Sequence, residues 1–271
     1  MPEKTNELEV YLQTRLKEKG HLFIPYLALG DPDWQTSLEV ARRLIHMGAD
    51  SIELGLPFTD PVADGPVIQE TFKRVLKTGF SMQKVFSFLD ELKKEFPEQP
   101  FLVMGYSNLF YKNGFSKMFR ELYKRSVRGV IIPDLPFEEK AILISRNHLE
   151  NFVDKIAWID FVTPTTNDAR LKEICSHARG FIYIVSVKGT TGQGGFSLKP
   201  IKPLFNKMKK LTSTPLMVGF GIRKKSHTHE VMQYANGYIV GTLLHSTIEE
   251  NLKDPSSIPG ILEKKLSSLV S

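Results

Sequence analysis

The run Ser51-Ile52-Glu53-Leu54-Gly55-Leu56 leads directly into Pro57-Phe58-Thr59-Asp60-Pro61-Val62-Ala63-Asp64-Gly65-Pro66. The first part is short, apolar and bounded by glycine and proline, the pattern of a strand covered on both faces. A carboxylate in such a strand is costly to ionise, so Glu53 marks a special environment. The second part, with three prolines and two further acids, reads as a stiff loop following the strand. Strand, loop and then a helical segment over 67–77 suggest one unit of a parallel β/α array.

Outward from this stretch the same unit recurs. Short apolar runs lie at 22–29, 51–54, 101–106, 129–132, 156–161, 181–185, 215–218 and 237–240. Each is too short for a helix and is bounded by turn residues. Helical spacing appears between them at 36–47, 82–95, 117–125, 138–149, 169–177, 201–210, 228–235 and 243–252. Residues 6–19 read as an additional helix beneath the array, 67–77 as an extra helix after the second strand, and 260–269 as a terminal helix. Eight alternations without a linker predict an α/β fold, a single (β/α)8 barrel over 1–271, the TIM barrel. The competing arrangement is an open doubly wound sheet. No G-x-G-x-x-G follows the first strand, which leaves its dinucleotide-binding form without support.

Composition sets the remaining bounds. The 271 residues carry 36 Lys and Arg against 30 Asp and Glu, a net charge of +6. The basic residues are scattered in short groups such as Arg223-Lys224-Lys225, which argues for solvated helix surface and against nucleic-acid binding. Cys175 is the one cysteine, so no disulfide forms within the chain. No apolar run approaches the length of a membrane span. These features predict a cytoplasmic protein that binds neither membrane nor nucleic acid.

In a barrel of this kind, chemistry sits where strands end and βα loops begin. Glu53 is the candidate acid or base. Asp64, carried by the proline-rich loop, is a second carboxylate able to fold back over the same end. Val218-Gly219-Phe220-Gly221-Ile222 and Val240-Gly241-Thr242 end the last two strands, and glycines there let backbone amides approach an anion such as phosphate. Lys188-Gly189-Thr190-Thr191-Gly192-Gln193-Gly194-Gly195 has the composition of a lid. His227 and His229 have no acidic or cysteine partner at metal spacing beyond Glu230, so no metal site is expected.

Taken together, these blocks resemble the tryptophan synthase α subunit. The resemblance rests on Phe23-Ile24-Pro25-Tyr26, Leu29-Gly30-Asp31-Pro32, the block from Glu53 to Pro66, Tyr106-Ser107-Asn108 and Pro133-Asp134-Leu135-Pro136. Gly189-Thr190-Thr191-Gly192 and the two glycine-bearing strand ends complete it. It implies a lyase in the last steps of tryptophan biosynthesis, cleaving indole-3-glycerol phosphate to indole and glyceraldehyde 3-phosphate. By the same resemblance Glu53 is the acid/base group, and Asp64 holds the indole N–H. Phe23, Tyr26, Tyr106 and Tyr183 fall on positions around the substrate, and Gly192, Gly221, Gly241 and Thr242 on the phosphate cradle. Thr191 falls on the lid residue that meets Asp60. The family implies no cofactor in this chain. It implies a partner β subunit carrying pyridoxal phosphate in an α-β-β-α heterotetramer.

The chain departs from the family pattern at Thr242, where serine is usual, at Val187, where arginine is common, and in its uncharged, glycine-rich lid. A barrel kept only to activate the β subunit is therefore the main alternative. A Schiff-base aldolase using Lys188 and a phosphate-binding epimerase are weaker ones. Lys188 falls in the glycine-rich lid segment past the sixth strand, where its ammonium is expected to be solvated and poorly nucleophilic, and the epimerase reading does not explain the block from Glu53 to Pro66.

Overall fold

The computed structural model describes residues 6–185, 196–219 and 221–270. Its strands are β1 (Leu22–Ala28), β2 (Ile52–Gly55), β3 (Phe101–Met104), β4 (Val127–Ile131), β5 (Ala157–Trp158), β6 (Asp160–Val162), β7 (Ile182–Ile184), β8 (Leu216–Gly219) and β9 (Gly237–Val240). All pairings are parallel, and β1 lies between β2 and β9. β5 pairs with β4, and β6 with β7. Only Ile159 separates β5 from β6, and its amide donates to the Val130 carbonyl at 2.9 Å. The run expected at 156–161 is thus one strand that changes partner midway, and the eight-stranded ring closes through it.

Helices surround the ring: α1 (Glu7–Lys19), α2 (Trp34–His46), α3 (Pro66–Lys77), α4 (Met82–Glu95), α5 (Ser107–Asn113), α6 (Phe115–Tyr123), α7 (Phe137–Arg146), α8 (Asp168–His177), α9 (Lys202–Leu211), α10 (Lys225–Met232), α11 (Thr242–Glu250) and α12 (Ile258–Val270). Several start on side-chain caps, which satisfy amides the helix itself leaves free. Asn6 accepts from the Leu8 and Glu9 amides, Asp33 from Thr36 and Ser81 from Lys84. The extra helices after the second strand and at the N-terminus are present. α5 was not anticipated. It is seven residues long, too short to display a helical period, and it begins where the chain leaves β3 at Met104.

Two apolar layers follow from strand alternation. Leu22, Ile24 and Tyr26 of β1 face the ring interior, as do Leu102, Tyr183 and Met217. Phe23, Leu27, Ile52, Leu54 and Val103 face the helices. Leu8 and Leu12 of α1, both fully buried, join the inner group near the start of β1 and the residues around β5, and so plug the lower end. No helix of the described residues is long and apolar enough to cross a membrane.

Two substitutions test this account. Leu8→Ala removes the plug and is expected to cost about 2–5 kcal/mol in urea unfolding. Gly260 lies in α12 with open space at its Cβ position, so Gly260→Ala should stabilise by up to about 1 kcal/mol. A neutral Leu8→Ala would show that α1 does not close the barrel.

Candidate active site

The C-terminal ends of the strands surround a cavity of about 510 Å³. Glu53 and Asp64 line it together with Tyr26, Phe161, Tyr183, Gly221, Gly241 and Thr242. Glu53 points inward because Ile52 and Leu54 on either side of it face the helices. In register it stands between Tyr26 of β1 and Leu102 of β3. Gly55, the next inward position, has no room for a side chain. A Cβ there would meet the Tyr26 hydroxyl at 2.2 Å, and a Cβ on Gly219 would meet the Tyr183 hydroxyl at 2.4 Å. The two glycines let the tyrosine rings lie flat across the neighbouring strands and leave the centre open.

The proline-rich loop returns Asp64 to the same cavity. The Asp64 amide donates to the Pro61 carbonyl at 3.0 Å, and Gln69 Nε2 donates to the Asp64 carbonyl at 2.8 Å. The Tyr106 hydroxyl donates to Asp64 Oδ2 at 2.7 Å and accepts from the Ala63 amide at 3.0 Å. Tyr106 is stacked on Phe58, with ring centroids 4.9 Å apart. One tyrosine therefore fixes both the loop backbone and the carboxylate it carries.

Five buried acids allow a comparison. Asp31 is met by Arg74 at 3.1 Å, Asp50 by Lys19 at 2.8 Å and Asp160 by Lys140 at 2.8 Å. These three are structural ion pairs. Glu53 is fully buried, and among the described residues neither of its oxygens has a hydrogen-bond partner. Loss of water, with a smaller contribution from Asp64, pushes its pKa up to about 8. Burial likewise raises Asp64 to about 6, opposed by the Tyr106 hydrogen bond, which favours the carboxylate. The site thus holds one acid that keeps its proton at neutral pH beside one that releases it, a division of labour suited to acid–base chemistry.

Other expected site residues divide between the cavity and its surroundings. Tyr26 and Tyr183 line it, and so do Gly221, Gly241 and Thr242. Gly241 and Thr242 are the N-cap and first residue of α11, so this helix opens at the cavity. Phe23 requires correction. Alternation turns it outward against Tyr238, at 5.6 Å between ring centroids, and Tyr26 three residues later is the inward aromatic. Tyr106 also lies behind Asp64, outside the cavity wall. Asp60 is exposed, accepting from the Thr59 hydroxyl at 2.6 Å. Thr191 and Gly192, together with Val187 and Lys188, lie outside the described residues.

Sequence reasoning passed over Phe161, whose ring packs 5.0 Å from that of Tyr183, and Ile239 and Met104, which also line the cavity. Their signal was only apolar character within a strand, shared by many core residues. Among the described residues no three His, Cys, Asp or Glu side chains stand close enough together to hold a metal ion.

The family model for the tryptophan synthase alpha chain matches residues 12–267. The tryptophan synthase alpha chain of Leptospira borgpetersenii serovar Hardjo-bovis (strain JB197) is 39% identical over 230 residues, covering 85% of this chain and 86% of its own. That of Petrotoga mobilis is 36% identical over 246 residues, covering 91% and 93%. A crystal structure of the tryptophan synthase alpha chain from Legionella pneumophila subsp. pneumophila superimposes with a TM-score of 0.83 at 30% identity, over 98% of this chain and 96% of that one. Sequence blocks, barrel and likeness to known proteins agree: the chain belongs to the tryptophan synthase alpha chain family.

Proposed function

We propose that the chain is an indole-3-glycerol-phosphate lyase, with Glu53 and Asp64 as its catalytic pair. The observation that carries this reading is the pairing of two buried carboxylates, neither held by a cation in the described structure, in one cavity that also reaches the glycine-bearing ends of the last strands. Protonated Glu53 delivers its proton to indole C3, creating positive charge on the ring nitrogen. Ionised Asp64 accepts the indole N–H and stabilises that charge. The Glu53 carboxylate then takes the proton from the glycerol hydroxyl. The carbon–carbon bond breaks, its electron pair returns to the indole ring, and the new carbonyl leaves as glyceraldehyde 3-phosphate. Protonated indole is itself the electron sink, so each proton transfer uses a group of this chain.

Tyr26 and Tyr183 border the ring-binding part of the cavity in this proposal. The backbone around Gly221, Gly241 and Thr242, with Gly192, receives the phosphate at the opening of α11. Thr191 and Asp60 are assigned to closure. A β subunit carrying pyridoxal phosphate is the proposed partner, in an α-β-β-α heterotetramer within the cytoplasm. The primary test is cleavage by the purified chain with and without that subunit. Turnover that rises with the partner supports the assignment. Absence of turnover with stimulation of the β reaction would mean that the barrel acts only as an activator.

Three outcomes follow from the site. Glu53→Gln should lower kcat by about 10³-fold or more, and Asp64→Asn by about 10²-fold; parental turnover by either would remove that residue from the mechanism. The pH profile of kcat/KM should be bell-shaped, since cleavage needs Asp64 ionised, above about 6, and Glu53 protonated, below about 8.

Stability should respond to pH as well. An ordinary glutamate ionises near 4.5, whereas folded Glu53 holds its proton to about 8. Between those values the folded chain binds more protons than the unfolded one, so stability falls as pH rises, by at most about 1.4 kcal/mol per pH unit from this group. Glu53→Gln lacks this slope. Unfolding curves from pH 5 to 8 should therefore show the variant gaining on the parent, and parallel curves would contradict the burial of an ionisable group.

A further inference from the structure

Behind the cavity, His245 of α11 is fully buried and hydrogen-bonded at both ring nitrogens. Nε2 lies 2.9 Å from the Ala28 amide, which has a proton to donate and none to accept. That contact requires Nε2 to be the bare, accepting nitrogen, which places the imidazole proton on Nδ1. Nδ1 in turn lies 3.0 Å from Asp31 Oδ2. Asp31 accepts from Arg74 Nε and Nη2 at 3.1 and 3.2 Å, and Glu249 stands 3.6 Å from Arg74 Nη1. The chain Arg74–Asp31–His245–Ala28 thus links α3, the loop after β1, α11 and the end of β1.

Its position ties it to the cavity. The His245 amide closes the first turn of α11 on the Gly241 carbonyl at 3.0 Å. The imidazole meets the Tyr26 ring edge-on, with centroids 5.7 Å apart. A Cβ on Gly241 would lie only 3.1 Å from Tyr26 Cδ1. Tyr26, Gly241 and Thr242 line the cavity, while His245 does not. We infer that His245 is a positioning residue: as the neutral Nδ1–H tautomer it fastens the end of β1 to α11, setting Tyr26 and the Gly241–Thr242 backbone against each other at the anion-binding end of the site. The role at that end rests on the proposed lyase reading; the tautomer does not.

A residue acting this way affects binding shared by ground and transition states, and so KM more than kcat. Neither β1 nor α11 carries Glu53 or Asp64. His245→Gln can place an amide oxygen near the Nε2 position and keep the bond from Ala28. His245→Asn can keep the donor to Asp31 but leaves the Ala28 amide buried without an acceptor.

The experiment compares indole-3-glycerol phosphate cleavage by the parent and both variants. His245→Asn is expected to raise KM about tenfold or more with kcat changed less than about threefold. His245→Gln should restore KM to within about threefold of the parent. Unchanged KM in a folded His245→Asn chain would overturn the inference. So would a failure of the Gln variant to rescue while it remains folded. Nitrogen-15 NMR of histidine-labelled parent chain supplies a readout that needs no variant to be active, with His245→Gln identifying the signal. A bare Nε2 and protonated Nδ1 are expected at pH 7.5, and a protonated Nε2 would overturn the proposal. Lack of turnover in the parent would count against the lyase reading and leave the tautomer measurement decisive for His245.

Discussion

Closing a parallel sheet into a ring gives each strand residue two destinations, the interior of the ring or the surrounding helices. The structure depends on this constraint. It sends Ile52 and Leu54 to the helix layer and leaves Glu53 no place except the buried interior of the ring. The same alternation makes Tyr26 an inner residue and Phe23 an outer one. It also converts Gly55 and Gly219 into the space that two tyrosine rings occupy. The cavity at the strand ends is what remains when those inner positions have been filled.

Electrostatics then separates the buried acids. Burial alone disfavours ionisation of every one of them. Asp31, Asp50 and Asp160 each have a lysine or arginine within about 3 Å, although at Asp160 burial still outweighs Lys140 and holds the pKa above the ordinary aspartate value. Glu53 has no such compensation among the described residues, and its ordinary response is to keep its proton. Asp64 lies between these cases, with one hydrogen bond from Tyr106 to favour its charge. A proton donor and an anionic acceptor in one cavity result from two different degrees of compensation. They require no difference in chemical type.

The outer residues support this centre from behind. Tyr106 carries the proline-rich loop through two hydrogen bonds, so Asp64 cannot move without disturbing the Ala63 amide. Arg74, Asp31 and His245 do the same where β1 meets the start of α11. Both devices are polar contacts inside an apolar shell, where an unmet donor or acceptor is expensive and geometry is therefore held closely.

Much of this was written in the chain itself. Short apolar runs bounded by turn residues marked every major strand, and period-3.6 spacing marked most helices, because both are local signatures that need no partner to be read. Glu53 stood out because a charged residue in a buried strand contradicts its neighbours, and the block to Pro66 carried Asp64 with it. Other features depended on what lies across the fold. The outward turn of Phe23 follows from register, and a shift of one residue exchanges the two faces. The role of Tyr106 depends on Asp64, 42 positions earlier. The His245 bond to Ala28 spans 217 positions. Sequence determined the elements and the residue types able to do chemistry, since those are local properties. Tertiary structure decided which carboxylates lack a counter-charge and which aromatic faces the cavity, because desolvation and pairing are fixed only when distant segments come together.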